Sequence, residues 1–187
     1  MSPAHPLAER LIEHLQHRPA SRVLDFASGG GRNAAALRGA GFTVIAIDDA
    51  AAVRPGALAA SDGEFAAAVS THGLLHGTAE SIAGALHAIA ERLESDGRLY
   101  ATFGSVRDAR FGQGERIGEW TFAPVEEPER GVPHTYYDRK RLETLLSQAF
   151  LIESLDERGV DQTAGSWAHI ERPLQGAVHW FAVARKR

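Results

Sequence analysis

Val23-Leu24-Asp25-Phe26-Ala27-Ser28-Gly29-Gly30-Gly31-Arg32-Asn33-Ala34-Ala35-Ala36-Leu37 begins as an apolar run, passes through three consecutive glycines and ends rich in alanine. The first part reads as a buried strand over Arg22 to Ala27. The last part reads as a helix over Arg32 to Arg38, closed by Gly39. Glycines between a strand and a helix permit a tight turn and close approach of a ligand to the backbone, and the helix start offers unpaired N–H groups. The turn alone is ambiguous, because Gly29-x-Gly31-x-x-Ala34 also fits the dinucleotide fingerprint.

Two carboxylates sharpen the reading. Asp25 lies four residues before Gly29, close enough to the turn to engage an amino or sulfonium cation and to repel a pyrophosphate. Asp48 closes the second predicted strand, Phe42 to Ile47, 17 residues after Gly31, where a carboxylate can accept both hydroxyls of a ribose. Asp48 would serve a nicotinamide dinucleotide equally well, so Asp25 discriminates. Both residues also have a plain reading as strand-end turn formers.

Outward from this stretch, strand-like and helix-like segments alternate, which predicts a mostly parallel sheet covered by helices. Leu7, Leu11 and Leu15 recur at helical spacing in a first amphipathic helix ended by Pro19. Phe65 to Ser70 reads as a third strand. The helix after it carries Ile82, Leu86, Ile89 and Leu93 on one face and is capped by Thr78. Asp96-Gly97 turns into a strand over Arg98 to Phe103. Residues 104–137 break the pattern with glycine, proline, charge and isolated aromatics, and read as a lid loop. Asp138 caps a further helix with Leu142, Leu145, Leu146 and Ala149 inward, followed by a strand over Phe150 to Leu155. The apolar Ala177 to Ala184 reads as a central last strand.

A chain of 187 residues with 44% hydrophobic content suits a single domain with one core. A net charge of −4 disfavours nucleic acid as a partner. The basic runs Arg139-Lys140-Arg141 and Arg185-Lys186-Arg187 read as solvated surface. The absence of cysteine excludes disulfides and thiol chemistry. No apolar run reaches membrane-spanning length and no signal sequence is evident, so the expectation is a cytoplasmic protein without a membrane partner.

The stretch from Val23 to Leu37 resembles the first motif of the class I S-adenosylmethionine (AdoMet) dependent methyltransferases, especially their small single-domain, tellurite-resistance-like members. Val44 to Asp49, Phe65 to His76 and Arg92 to Phe103 are similar to the later segments of that family. The resemblance implies an α/β Rossmann-like three-layer sandwich, with a mostly parallel sheet and an antiparallel last strand. It implies AdoMet as cofactor, with S-adenosylhomocysteine (AdoHcy) as product. Asp25, Ala27, Ser28, Gly29, Gly31, Arg32 and Asn33 would surround the methionine part, and Asp48 and Asp49 the ribose. His72 and Leu74 would face the reactive methyl.

The sequence departs from that family in three places. Ala27 replaces the commonest first glycine and fits if its φ is negative. Ser28 stands where Cys is frequent, and Ser95-Asp96-Gly97 replaces Pro-Gly-Gly. Only 16 residues separate Asp48 from Phe65, too few for the usual helix, strand and adenine-contacting acid. One edge strand and its helix are therefore expected to be missing, with Arg54-Pro55-Gly56 in a loop. Asp62 is the remaining candidate for the adenine, or is simply a turn residue.

An acceptor would lie beyond the carboxyl ends of the strands, under the lid, with Phe111, Trp120, Tyr136 and Trp167 as lining aromatics. Methyl transfer from a sulfonium is an in-line displacement. Alignment alone supplies roughly 7 to 11 kcal/mol in favourable cases, which makes a base optional. His76 and His134 are the candidate bases, each with an alternative reading as a structural histidine. The spacing His72-x-x-x-His76 suggests a metal pair, but Gly73 and Gly77 disfavour a helix presenting both, and the expectation is no metal. The expected function is methyl transfer to a small molecule, the alternative being an AdoMet-binding module without catalysis.

Overall fold

The computed structural model describes residues 3–48, 58, 63–167 and 175–187. Helix α1 (Pro6–Leu15) starts with proline at its first position, where the missing N–H costs nothing. The His5 imidazole accepts the Leu7 N–H at 3.1 Å as its cap. Leu7, Leu11 and Leu15 are buried along one stripe, as their spacing predicts. The helix ends at Leu15, one turn before the Pro19 stop expected from sequence.

Strand β1 (Arg22–Phe26) leads through the glycine turn into α2 (Arg32–Gly39) and β2 (Thr43–Ile47). Strand β3 (Phe65–Ser70) is followed by a short 3-10 turn (Gly73–Leu75) and α3 (Ala79–Arg92), whose cap Thr78 accepts the Ser81 N–H at 3.2 Å. Strand β4 (Leu93–Ser105) begins where α3 stops. Between the pairs Phe65↔Leu93 and Ala67↔Arg98, β4 advances five residues against two in β3, so the expected Asp96-Gly97 turn is a bulge inside a longer strand.

The strands pair in the order β2-β1-β3-β4, all parallel. Beyond β4 lie β9 (Val178–Lys186) and β8 (Phe150–Gly159), with β9 antiparallel to both neighbours. The apolar last strand is therefore interior and antiparallel, as expected. Alternation along each strand divides the core. Leu24 and Phe26 pack with α3 and with α4 (Arg139–Leu146), while Val23 faces the other way, towards α1 and α2. Helices thus cover both faces of the sheet, and Asp25 shares Val23's face. Among the described residues β2 is an edge strand, paired with β1 alone. The shortened segment after Asp48, with Asp49, Arg54-Pro55-Gly56 and Asp62, lies outside the described residues.

Residues 104–137 correct the expectation of a loop. They form an antiparallel meander of β5 (Glu115–Arg116), β6 (Thr121–Ala123) and β7 (His134–Tyr137). Strand β7 joins the carboxyl end of β4 in parallel, at Gly104↔Tyr136 and Ser105↔Tyr137. Strands of two to four residues are too short for alternation to be recognised in sequence. Asp138 then caps α4 by accepting the Arg141 N–H at 2.7 Å. No helix of the described residues is long and apolar enough to cross a membrane.

Candidate functional site

The turn after β1 is held open by left-handed backbone at Ala27 (φ 58°), Gly29 (φ 48°) and Gly31 (φ 71°). The φ of Ala27 is positive, so the condition under which alanine fits there without strain is not met. A non-glycine residue there carries strain of about 1 to 2 kcal/mol, offset by packing of its buried methyl. Ser28 donates its N–H to the Ile47 carbonyl at 2.8 Å, which fastens the turn to β2, and Gly31 donates to the Ser28 carbonyl at 2.9 Å. A Cβ added at Gly30 or Gly31 would meet nothing within 4 Å among the described residues. Asp25 is buried at the carboxyl end of β1, while Asp48, exposed, follows the last residue of β2. The two carboxylates thus flank a glycine turn that is open at Gly30 and Gly31 among the described residues.

Arg32 and Asn33, expected at a ligand, are committed to the protein. The Arg32 guanidinium donates to the carbonyls of Gly165 and Trp167 at 2.8 Å each, and to those of Pro3 and Ser166 at 3.3 Å. Burial lowers its pKa against the opposing pull of Asp25. Asn33 accepts the His5 N–H at 3.0 Å and donates to Thr71 Oγ1 at 2.8 Å. Both side chains position the segments around the cradle. The Leu74 side chain is fully buried in the core on the α3 side.

His72 does reach the carboxyl end of the sheet. Its φ is 69°, and its N–H donates to Thr102 Oγ1 at 2.8 Å. Around its ring stand His179 at 5.2 Å, Trp167 at 5.9 Å and His5 at 6.0 Å between centroids, and His5 stacks on Phe181. Burial, followed by the charge effects of His72 and Arg32, lowers the His5 pKa to about 2. Burial, followed by Arg110, lowers that of His179 to about 3. Both rings are neutral near pH 7. Asp108, fully buried, holds Arg110 through both carboxylate oxygens (2.9 and 3.1 Å) and accepts the Val178 N–H, so the start of β9 and the meander share one ion pair.

His76 faces away from this group, towards His134. Their backbones form an antiparallel bridge, and their rings meet edge to face at 4.8 Å. Glu129, which no sequence pattern singled out, joins them. Its carboxylate oxygens lie 3.4 Å from His76 Nε2 and 3.3 Å from His134 Nε2. The two imidazoles, His134 first, hold the Glu129 carboxyl well below the usual range. His72 thus stands with His5, Trp167 and His179, and His76 with His134.

The four predicted substrate aromatics separate. Trp167 stands beside His72. Trp120 and Tyr136 line a half-open cavity of about 300 Å³ between the start of α3, the meander and α4, together with Thr78, Tyr137 and Arg141, whose guanidinium lies 4.0 Å over the Trp120 ring. None of the glycine-turn residues lines that cavity. Phe111 packs on Trp120, Phe122 and Tyr136 and supports the meander instead.

Residues 4–150 match the family model described as "Methyltransferase domain". Among solved structures the chain is similar to 1,6-didemethyltoxoflavin-N1-methyltransferase from Burkholderia thailandensis, whose structure contains 1,6-didemethyltoxoflavin and S-adenosylhomocysteine. The TM-score is 0.65 at 24% identity, covering 97% of this chain and 76% of that one. A SAM-dependent methyltransferase from Methanosarcina mazei gives a TM-score of 0.71 at 18% identity over 98% of both chains. A TehB-like SAM-dependent methyltransferase from Corynebacterium glutamicum gives 0.52 at 17% identity, covering 96% of this chain and 88% of that one. At these identities the likeness is one of fold. No curated protein matches the sequence.

Proposed function

Because this chain belongs to the methyltransferase-domain family, we propose that it transfers a methyl group from AdoMet to a small-molecule acceptor. The observation that carries the reading is the glycine turn, open at Gly30 and Gly31 among the described residues, between buried Asp25 and exposed Asp48. The residues fit the cofactor. Backbone at Gly30 and Gly31 leaves room for the methionine part, Asp25 offers negative charge to an amino or sulfonium cation, and Asp48 offers acceptors to ribose hydroxyls. AdoMet, when bound, supplies a methyl already activated on a sulfonium.

The protein's share is to align the acceptor and keep water away. Arg32 ties residues 165–167 and Pro3 to the start of α2, which builds a wall beside the cradle. His72, Trp167 and neutral His179 form the polar and aromatic surface at the carboxyl ends of β3 and β4 and the amino end of β9. His76 and His134, held with Glu129, are the groups that receive the acceptor's heteroatom. A small acceptor is supported by the Burkholderia neighbour, which binds 1,6-didemethyltoxoflavin alongside S-adenosylhomocysteine.

Calorimetry with AdoMet and AdoHcy tests the first half of the reading. Failure to bind either ends it. Turnover measured as AdoHcy release across a panel of small acceptors tests the second half, and tight binding without turnover on any acceptor reduces the protein to a cofactor-binding module.

A further inference from the structure

We propose that His76, Glu129 and His134 form a binding site for a zinc-class divalent ion. His134 Nδ1 lies 2.8 Å from the Val132 carbonyl oxygen, which can only accept, so Nδ1 carries a proton. In a neutral ring that leaves a lone pair on Nε2. This nitrogen is buried, makes no hydrogen bond, and stands 3.3 Å from a Glu129 carboxylate oxygen. A cation placed between the two would satisfy both.

His76 Nε2 makes the same approach to the other oxygen of the same carboxylate, at 3.4 Å, so both nitrogens converge on one carboxylate. A single dication satisfies both nitrogens and the carboxylate together.

The geometry suits such an ion. Bonds of about 2.0 to 2.2 Å at tetrahedral angles place neighbouring ligand atoms about 3.3 to 3.5 Å apart, and the two nitrogen-to-oxygen separations are 3.4 and 3.3 Å. One ligand atom from each of the three residues lies within 4.8 Å of the others, so small side-chain rotations close the set. The backbone is already fixed. Gly77 donates to the Pro133 carbonyl at 2.7 Å, and the Thr135 hydroxyl donates to the Gly77 carbonyl at 2.7 Å, which clamps the two histidine segments together. The Val132 carbonyl holds His134 in the tautomer that ligation through Nε2 requires. Two imidazoles and one carboxylate, without thiolate, select zinc, cobalt or nickel over calcium or magnesium.

Three protein ligands leave a fourth position, and the part-exposed His76 and Glu129 side chains open it to solvent. Under the methyl-transfer reading that position takes the acceptor's nucleophilic atom and lowers its pKa, the proton passing to solvent. This consequence rests on that reading. Ion binding itself does not.

The test is titration of chelator-stripped, desalted full chain with Zn²⁺ against a chromophoric competitor, with Co²⁺ as a spectroscopic probe. One ion per chain is expected, with visible Co²⁺ bands of a low-symmetry site. Glu129→Gln and His76→Gln, at part-exposed positions that spare the fold, should each weaken binding by roughly 10-fold or more. Absence of stoichiometric binding at about 10 µM free ion overturns the proposal. So does binding unchanged in both variants, which would place the ion on other histidines. AdoHcy calorimetry on the same samples separates the two readings: a chain that binds AdoHcy but no zinc loses only the ion site, and one that binds zinc but not AdoHcy loses only methyl transfer.

Discussion

Gly73 and Ala27 are sterically coupled: a Cβ built on Gly73 would lie 2.1 Å from the Ala27 Cβ. The methyl that replaces the family's usual glycine in the turn after β1 thus occupies the space a side chain at position 73 would need, and the loop after β3 packs against Ala27 only because residue 73 has none.

This coupling predicts a non-additive pair. Gly73→Ala should destabilise the fold by about 2 kcal/mol or more through overpacking. Ala27→Gly alone should change stability by less than about 1 kcal/mol, since relief of left-handed strain offsets the lost methyl contacts. In Ala27→Gly/Gly73→Ala the nearest remaining contact is Ser70 Oγ at 3.0 Å, so much of the loss should be recovered. Urea unfolding of the four proteins measures the cycle, and additive free energies would refute the coupling.

Stability should fall on mild acidification. His5 and His179 have folded-state pKa values lowered to about 2 and about 3, against about 6.5 when unfolded. Between those values the unfolded chain binds protons that the folded chain refuses. Their contribution is therefore complete above about pH 6.5 and is lost as pH falls below it, by about 1.4 kcal/mol per pH unit for each ring. Thermal midpoints at pH 7 and pH 5 check the direction, and His179→Gln should flatten the slope. A midpoint constant over this interval would contradict the burial of these rings as neutral groups.

Arg32→Met keeps the side-chain stem but releases the carbonyls of residues 3 and 165–167. The expected cost is about 1 to 3 kcal/mol, with faster amide exchange confined to residues 163–167. If Arg32 instead contacts cofactor directly, AdoHcy affinity will drop while exchange in that segment stays unchanged.

Asp25→Asn and Asp48→Ala address the cradle itself. Loss of a charged partner for the ligand's amino group, or of the acceptors for its ribose, should weaken AdoHcy binding by roughly 10-fold or more in each case. Calorimetry on variants with native circular dichroism provides the measurement. Unchanged affinity in both would remove the cradle as the cofactor site.

The order of elements was legible because their signals are local. The strand, glycine turn and helix from Arg22 to Gly39, the caps at Thr78 and Asp138, and the apolar interior strand at the carboxyl end each declare themselves within about 15 residues. Asp25 and Asp48 could be picked out because parallel pairing of β1 with β2 makes their distance from the turn predictable.

The roles of individual side chains were decided by contacts that no local pattern spans. Arg32 looked like a ligand residue until it met carbonyls 133 and 135 positions away. Leu74 looked like part of the methyl-facing surface until the core claimed it. Glu129 carried no signal at all in a proline-rich, charged stretch, and only the bridge between His76 and His134 brings it to two imidazoles. By itself the sequence determined which backbone elements form and where the cradle opens, since dihedral preference and periodic burial act over a few residues. Tertiary structure alone decided which polar groups face one another across that opening, since such meetings depend on how distant elements pack.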